Sequence, residues 1–441
     1  MMVSPPQSSA PAPFERSSRR SPAARISVDF LTIATIFFAA GITAAPFVIG
    51  EALIYFYQPH LLALVHTFTL GWITATIMGV MYRYVPALTR RELPYPRLAF
   101  LQLIIFVLGT LGMIVHFALG VWSGVWSAAI VVIISIAMFM ANLMACLWPR
   151  IGRAVTETGM GLGILMLLTA ACVGFTLALD KTLNFLGGNV ITNLAGHAHI
   201  AALGWVTLTI CAVTYRMMPA FILPEVRLPK IALWQIYALA FGVMGLAVTL
   251  LAGLPGATAW ACFIAIALLV YVLIVARMVR TRRAPLDWSS RHMITAILWL
   301  TAAAALGIAL TRTGTQSVTG ARLAAIYGTL GLMGWIGNFI IGMSYRLFPG
   351  FVSRARDGVG WSPVAIARLS IPQGRGFVFA TFNAGLITMT AGFLRSGTML
   401  TIGGAVIVAA GGLLYSATTL WTLSHAYRRE PAVARALPGA N

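Results

Sequence analysis

The chain has 441 residues, of which 59% are hydrophobic and only 9% are charged, and its formal net charge is +20. Soluble domains carry roughly 25% charged residues, so this composition excludes a water-soluble globule and a disordered chain. It also excludes a basic nucleic-acid-binding protein, and it indicates an integral membrane protein. The four cysteines lie in apolar stretches without a CxxC pair, which favours neither a disulfide framework nor a zinc site.

Apolar stretches long enough to span a bilayer, about 20 residues each, follow one another along the chain. The twelve predicted transmembrane helices cover 30–57, 60–83, 97–121, 125–148, 156–179, 193–216, 231–253, 257–279, 292–311, 321–345, 376–395 and 399–424. Residues 1–28, rich in Pro, Ser and Arg, are predicted to form a disordered tail. Residues 29–425 are predicted to form a single all-α membrane domain, and residues 426–441 a second tail.

The distribution of Lys and Arg predicts the orientation of these helices. With a cytoplasmic N-terminus, 26 of the 30 Lys and Arg residues fall in inner segments. The outer loops then hold only Lys181, Arg312, Arg322 and Arg395. Because cytoplasmic loops carry the excess of positive charge, we expect both termini in the cytoplasm of a bacterial-type cell, with the chain in the inner membrane. The same rule accounts for the high pI, so no nucleic-acid partner is expected.

A motif recurs in predicted helices 2, 6 and 10. Each copy has Gly-Trp, nine residues, Tyr-Arg, two residues and Pro. The copies begin at Gly71-Trp72, Gly204-Trp205 and Gly334-Trp335. Successive tryptophans are 133 and 130 residues apart, which corresponds to four helices per unit. Internal repeats of this kind indicate a repeated architecture, so we expect three pseudo-symmetric four-helix units over about 30–148, 156–279 and 292–424.

The residue types of the motif suggest what each position does. The glycine admits a neighbouring helix or a flat ligand against the backbone, so Gly71, Trp72, Gly204 and Trp205 are candidates for the wall of a cofactor site. Tyr-Arg suits the cytoplasmic membrane interface, and the proline is expected to end the helix. The Tyr, Arg and Pro positions are most simply interpreted as scaffold.

The seven histidines divide into two groups by predicted depth. Three are expected at the membrane edges, facing water or lipid headgroups: His60, His292 and His425. Four lie within predicted spans, in one layer near the outer surface: His66, His116, His197 and His199. Ionisable residues inside a membrane are functional candidates by default, and neutral imidazole is the commonest metal ligand. The layer therefore suggests a metal or a haem, the alternative being polar hydrogen bonds between helices.

His197 and His199 are two residues apart on one helix, so their rings project about 200° apart and serve opposite faces. One of them is expected to meet His66 across a shared cavity, while the other faces the next cavity. His66 with either ring is a natural axial pair for a six-coordinate haem. His116 is a further candidate ligand for a metal in the same layer.

Twelve helices in three units, with histidines near the outer ends of helices 2 and 6, resemble subunit I of the haem–copper oxidase superfamily. That superfamily includes the cytochrome c oxidases and the respiratory nitric-oxide reductases. The resemblance covers essentially all of residues 30–425, with local identity confined to the repeated motif. It implies three arcs of four helices around three pores, a low-spin haem ligand at His66, and the family's HxH haem-ligand motif at His197 and His199.

The chain departs from the family's pattern at the reactive centre. The HxH motif lies on helix 6 instead of helix 10, where Thr329 stands in place of a histidine. The adjacent His-His pair that binds copper is absent from 231–253, and Leu203 stands where the family's helix-6 tyrosine would lie. These residues cannot form a complete haem–copper centre. We therefore expect the haem in the pore between the first two arcs, with His66 and either HxH histidine as ligands.

The resemblance implies a membrane haem protein, with a b-type haem, that transfers electrons or handles O2 or NO in a respiratory or nitric-oxide-response setting. The enzyme class it points to is an oxidoreductase of the cytochrome oxidase or nitric-oxide reductase type, and copper is a second candidate cofactor with an incomplete ligand set. Expected partners are membrane lipid, cytochrome or oxidase subunits and a gas ligand. Two alternatives stay open: a transporter or metal- or haem-handling protein using the same cavities, and an assembly subunit without cofactor. The lack of evident broken helices weighs against a typical secondary transporter.

Overall fold

The computed structural model describes residues 22–224, 228–357 and 367–428. Within these ranges the chain is helical, without a named strand, and twelve helices are long and apolar enough to cross a membrane. In chain order they are α1 (Ala24–Leu53), α2 (Pro59–Thr89), α3 (Pro96–Ala118), α4 (Trp122–Arg150), α5 (Val155–Leu183), α6 (Val190–Ile222), α7 (Ile231–Leu251), α8 (Ala257–Arg280), α9 (Trp288–Thr313), α10 (Val318–Arg356), α11 (Arg375–Arg395) and α12 (Thr398–Ser424). For the described residues, the prediction of an all-helical chain with twelve helices long and apolar enough to cross a membrane is confirmed.

The first helix begins earlier than predicted. Residues from Pro22 onward are helical, so the end of the predicted disordered tail is wrong, while residues 1–21 and 429–441 lie outside the described residues. Ile26 and Val28 are fully buried, and the Ser27 hydroxyl donates a hydrogen bond to the carbonyl of Gly79 on α2 (2.6 Å). Burial of apolar side chains against α2 stabilises helical turns that a hydropathy count leaves outside the span.

The motif prolines do not end their helices, so that expectation is wrong. Helices α2 and α6 continue for one turn beyond Pro86 and Pro219. Each then ends at a left-handed residue four positions on, Arg90 or Leu223, whose N–H donates to the proline carbonyl. A proline removes only its own N–H from the helix ladder, and tertiary packing retains the turn that follows.

The helices with the motif are the inner helices of the bundle. Of the 18 most apolar consecutive residues in each helix, 78% are buried in α2, 72% in α6 and 61% in α10. In each of the other described helices at most 50% of these residues are buried. The remaining helices contact one another in sequence around them, and α1 closes the ring against α12. The inner helices therefore have neighbours on every side, which places their side chains where a site can be enclosed.

One contact between an outer and an inner helix recurs at matching positions. In each case, a hydroxyl on the helix that comes before the inner helix in the chain donates to a main-chain carbonyl of the inner helix. The three carbonyls occupy the same position relative to the motif. The pairs are Ser27 with Gly79, Thr156 with Ala212, and Ser289 with Gly342. The acceptors follow the 133- and 130-residue spacing of the motif, so the three inner helices are held at the same height by the same type of bond.

At the end of the bundle where α9 begins, which we call the basic end, an acid holds the motif arginine of α10. The carboxylate of Asp287 lies 2.9 Å from the guanidinium of Arg346 and accepts hydrogen bonds from the backbone N–H and hydroxyl of Ser290. Burial alone raises the pKa of Asp287. The bonds from Ser290 and Arg346 outweigh burial and lower that pKa below its ordinary value.

Candidate functional site

Each inner helix contains an eight-residue π-helical segment at the same place in the motif. Within the described residues these segments are Thr67–Thr74, Ile200–Thr207 and Leu330–Gly337, and each begins five residues before the motif tryptophan. Short π-helical segments are rare and frequent at functional sites. The three inner helices remain continuous through these segments, and no feature of the sequence pattern distinguishes the segments from ordinary helix.

The motif glycines are covered by side chains of the neighbouring outer helix. A Cβ on Gly71 would stand 2.6 Å from the ring of Phe37, and one on Gly204 would stand 3.1 Å from Met166. Close packing of a neighbouring helix thus accounts for both glycines. A flat ligand against either backbone would have to displace the side chain that now fills the space.

The motif tryptophans lie in the packed centre of the bundle. Trp72 and Trp205 are each 1% exposed, and Trp72 stacks near the ring of Phe38, with centroids 4.1 Å apart. The indole N–H of Trp205 donates to the Thr74 hydroxyl of α2 (3.2 Å), and Trp335 donates in the same way to the threonine of α6 (2.9 Å). These contacts connect the inner helices to one another at mid-height.

His66 is the last residue before the π-helical segment of α2. Its Nδ1 lies 2.7 Å from the carbonyl oxygen of Leu62, and its ring stacks on Phe117 of α3 with centroids 4.6 Å apart. Since a carbonyl only accepts, Nδ1 carries the proton and Nε2 presents its lone pair. Nε2 has no hydrogen-bond partner among the described residues, and the side chain is half-buried on an inner helix.

His197 of α6 lies two residues before His199, the position that matches His66 in the repeated motif. His197 and His66 therefore lie at similar places along their helices. The Nδ1 of His197 lies 3.0 Å from the carbonyl oxygen of Ala170 on α5, so its Nε2 also presents a lone pair. Gly174 of α5 makes room for this ring, because a Cβ there would stand 2.7 Å from the imidazole Cε1. Two neutral imidazoles anchored through Nδ1 to main-chain carbonyls are the arrangement that metal-ligating histidines adopt.

His199 is engaged by a residue that the sequence reasoning missed. Its Nδ1 bonds the carbonyl of Ala195 (2.7 Å), and its Nε2 lies 3.0 Å from the hydroxyl of Tyr327 on α10. Tyr327 therefore donates to the lone pair that a metal would need. A signal for Tyr327 was present, because it lies 130 residues after His197, which is the spacing of the motif. The two histidines of the HxH motif thus face different helices.

His116 does not join the other histidines in a cluster. Its Nδ1 bonds the carbonyl of Gly112 one turn earlier (2.7 Å), and its ring fills the space where Gly124 of α4 lacks a side chain. Among the residues that the structure describes, no three His, Cys, Asp or Glu side chains form a group that could hold a metal ion. The imidazoles of His66 and His197, each with Nδ1 bonded to a main-chain carbonyl, are the residues that could hold a flat cofactor from two sides.

The three histidines expected at the membrane edges differ in their surroundings. His60 is exposed and pairs with Glu51 at 2.8 Å, and His425 bonds the carbonyl of Trp421 at the end of α12. The expectation for His292 is wrong, because its side chain is completely buried between α9, α10 and α11. Its position near the start of α9 suggested exposure, but the neighbouring helices cover that turn.

Comparison with models of known protein families gives no match for this chain, and comparison with curated proteins gives none either. The resemblance to the haem–copper oxidases therefore rests on the motif, the helix count and the histidine positions. Any assignment of function has to be argued from the geometry of the site.

Proposed function

We propose that the protein is a membrane haem protein in which His66 and His197 are the axial ligands of a b-type haem held between α2 and α6. The observation that carries the proposal is the pair of imidazoles at similar places on two inner helices, α2 and α6, whose Nε2 lone pairs are both without a partner in the described chain. Leaving such groups unbound inside a membrane is costly. Axial ligation of a flat cofactor uses both.

The surrounding residues orient the two rings. The carbonyls of Leu62 and Ala170 fix the tautomer of each imidazole, and Phe117 limits rotation of His66 by stacking on it. Gly174 allows the His197 ring to lie against α5. A haem held here by His66 and His197 would supply one-electron transfer, and these anchors would fix the orientation of the two imidazoles that hold it.

The His199–Tyr327 hydrogen bond supports His197, in preference to His199, as the partner of His66. The Nε2 of His199 lies 3.0 Å from the hydroxyl oxygen of Tyr327. This contact leaves no place for an iron at the Nε2 of His199. His199 is then a structural residue at the next interface. The proposal commits to one histidine of the HxH motif, where the sequence left two.

We further propose that the bundle consists of three pseudo-symmetric four-helix units, with both termini in the cytoplasm and the basic end facing it. The recurring hydroxyl–carbonyl bonds and π-helical segments support the units, and the positive-inside rule supports the orientation. The setting would be a bacterial inner membrane. The partners would be membrane lipid and cytochrome or oxidase subunits that act as electron donors or acceptors.

The test is an optical spectrum of the detergent-purified protein, oxidised and dithionite-reduced, with total haem and copper measured on the same sample. We expect about one haem per chain and a sharp reduced α band. The variants H66A and H197A should lose that haem or its six-coordinate spectrum. The matched control H199A removes an imidazole from the same helix and should keep both.

The outcome decides between the proposed haem protein and the alternatives. If H66A retains its full haem content and an unchanged spectrum, the proposed ligand is wrong. If H199A, and not H197A, loses the haem, the assignment within the HxH motif is reversed. Folded protein without haem would abolish the redox proposal and favour a transporter, handling or assembly role for the bundle.

A further inference from the structure

The interior between α9, α10 and α11 contains a polar network within the membrane-spanning region. The Nδ1 of His292 lies 2.8 Å from Oδ1 of Asn338. Asn338 and Asn383 exchange two amide hydrogen bonds of 3.2 Å, and the indole N–H of Trp299 donates to Oδ1 of Asn383 (2.8 Å). Polar groups at this depth are expensive and commonly serve a function, so the network needs an explanation.

Main-chain carbonyls fix the protonation of this network. Asn338 Nδ2 donates to the carbonyl of Gly334 (3.0 Å) and Asn383 Nδ2 to that of Phe379 (2.9 Å). The oxygen of Asn338 is therefore an acceptor, and the Nδ1 of His292 must carry the proton that it receives. The Nε2 of neutral His292 then presents a lone pair. That atom is fully buried and has no hydrogen-bond partner in the described chain.

Two further buried polar atoms near His292 also lack partners among the described residues. They are the hydroxyl of Tyr345 and the Nε of Arg375. The rings of His292 and Tyr345 are 5.9 Å apart, and the Arg375 guanidinium lies 4.6 Å over the Tyr345 ring. Buried polar groups are normally hydrogen-bonded. A row of three without partners, leading from the basic end toward the bilayer centre, indicates a shared bound ligand.

A small cavity lies at the basic end of this row. It holds about 20 Å³ beside Tyr345 and Arg375, and Ser344, Thr418 and Thr419 are among the residues that line it. A buried water needs roughly 10–15 Å³ of such space and two to four polar neighbours. The cavity has the size and the lining for one water molecule, whereas it is too small for an organic solute.

We propose that water enters at the basic end past Arg375 and binds in a file that joins Tyr345 to His292 and so reaches the Asn338–Asn383 pair. Tyr345 and Gly334 are eleven residues apart on α10, so the file and the network extend roughly 16 Å, about half of the hydrocarbon thickness of ~30 Å. The hydrated interior is distinct from the His66–His197 pair. It does not depend on haem binding.

Radiolytic labelling in H2 18O tests the proposal, because hydroxyl radicals formed from bound water modify the side chains that touch it. The protein is purified in nanodiscs, exposed to a synchrotron pulse and analysed by mass spectrometry. We expect several-fold more 18O at His292 than at Tyr271, because both side chains are fully buried but the hydroxyl of Tyr271 donates to Thr214. In Y345F the label at His292 should fall at least twofold.

Thermal stability supplies a second readout with a matched control. Tyr215 occupies the same motif position in α6, and its hydroxyl donates to Gln235 (2.9 Å). If water binds Tyr345, then Y345F and Y215F should lower the Tm by similar amounts, since each loses a satisfied hydroxyl. A dry interior predicts instead that Y345F leaves the Tm unchanged or raised, with His292 labelled no more than Tyr271. Either of these last two results overturns the proposal.

Discussion

Replacing Asn338 by alanine (N338A) is expected to destabilise the protein by about 2–4 kcal/mol. The substitution removes the only acceptor that the described chain offers to the Nδ1–H of His292, and a stranded buried donor costs roughly 1–3 kcal/mol. A methyl-sized void in the core adds about 1 kcal/mol. Asn383 suffers less, because its amide still donates to the carbonyl of Phe379 and its oxygen still accepts from Trp299.

A second substitution, H292F, should recover part of that loss. His292 and Asn338 occupy the positions that Phe30 and Ala75 hold in α1 and α2. The packing shows this equivalence. The Cβ of Phe30 lies 2.8 Å from the position that a Cβ on Gly79 of α2 would take. The Cβ of His292 lies 3.0 Å from the position that a Cβ on Gly342 of α10 would take. Replacing both partners of a buried hydrogen bond by apolar groups of suitable shape is nearly neutral. We expect the double variant to be more stable than N338A by at least about 1 kcal/mol.

The measurement is a double-mutant cycle on the four proteins in one detergent, with unfolding followed by circular dichroism during SDS titration. Residues in contact should show a coupling energy of about 1 kcal/mol or more, with the sign that favours the double variant. Wild-type stability in N338A would refute the reasoning. So would a double variant that loses the sum of the two single losses, because that result would mean that His292 and Asn338 do not share a bond.

Three further outcomes follow from the structure. G174V should lose most of its haem in a pyridine haemochrome assay, because its side chain would overlap the His197 ring. W335F should be about 1 kcal/mol less stable in SDS titration than wild type, whereas W72F should lose less, because its indole N–H has no threonine partner in the described chain. The depressed pKa of Asp287 contributes stability that is present above its ordinary pKa near 4 and is lost as the pH falls through the folded value. The Tm values of wild type and D287N should therefore converge below about pH 4, and a constant gap would contradict that linkage.

Hydropathy predicted the number of spans correctly because apolar length is a property that can be read directly from consecutive residues. It failed at helix ends, since the burial of Ile26 and Val28 and the bond from Ser27 to α2 extend α1 through tertiary contacts that no local window contains. It also failed at Pro86, where a rule about isolated helices is overridden by packing around an inner helix. The depth of His292 was estimated from its distance to a predicted helix end, which carries no information about the helices that cover it.

The candidate site was predictable in part. Helical geometry required the rings of His197 and His199 to diverge, and the structure gives each a different neighbour. Which ring faces His66 depends on Tyr327, a residue on another helix. Extending the motif alignment upstream to the HxH segment places Tyr327 at the position of His197, so the repeat contained that information. The π-helical segments leave no comparable trace, because their composition is that of any apolar helix.

Under the proposed function, the side chains that α10 and α2 offer to a third interface account for the confinement of two-point ligation to one place. At the register of the two histidines of α6, α10 offers Tyr327 and Thr329, and α2 offers Leu64 and His66. The Thr329 hydroxyl is committed to its own helix through the carbonyl of Ala325 (2.9 Å), and leucine offers no ligand atom. In the proposed three-unit arrangement, the same backbone positions thus offer two imidazoles to the first interface, a hydrogen-bonded pair to the second, and a leucine and a committed threonine to the third. Since the proposed units share one scaffold, the identities of these few side chains would determine where the proposed cofactor is held.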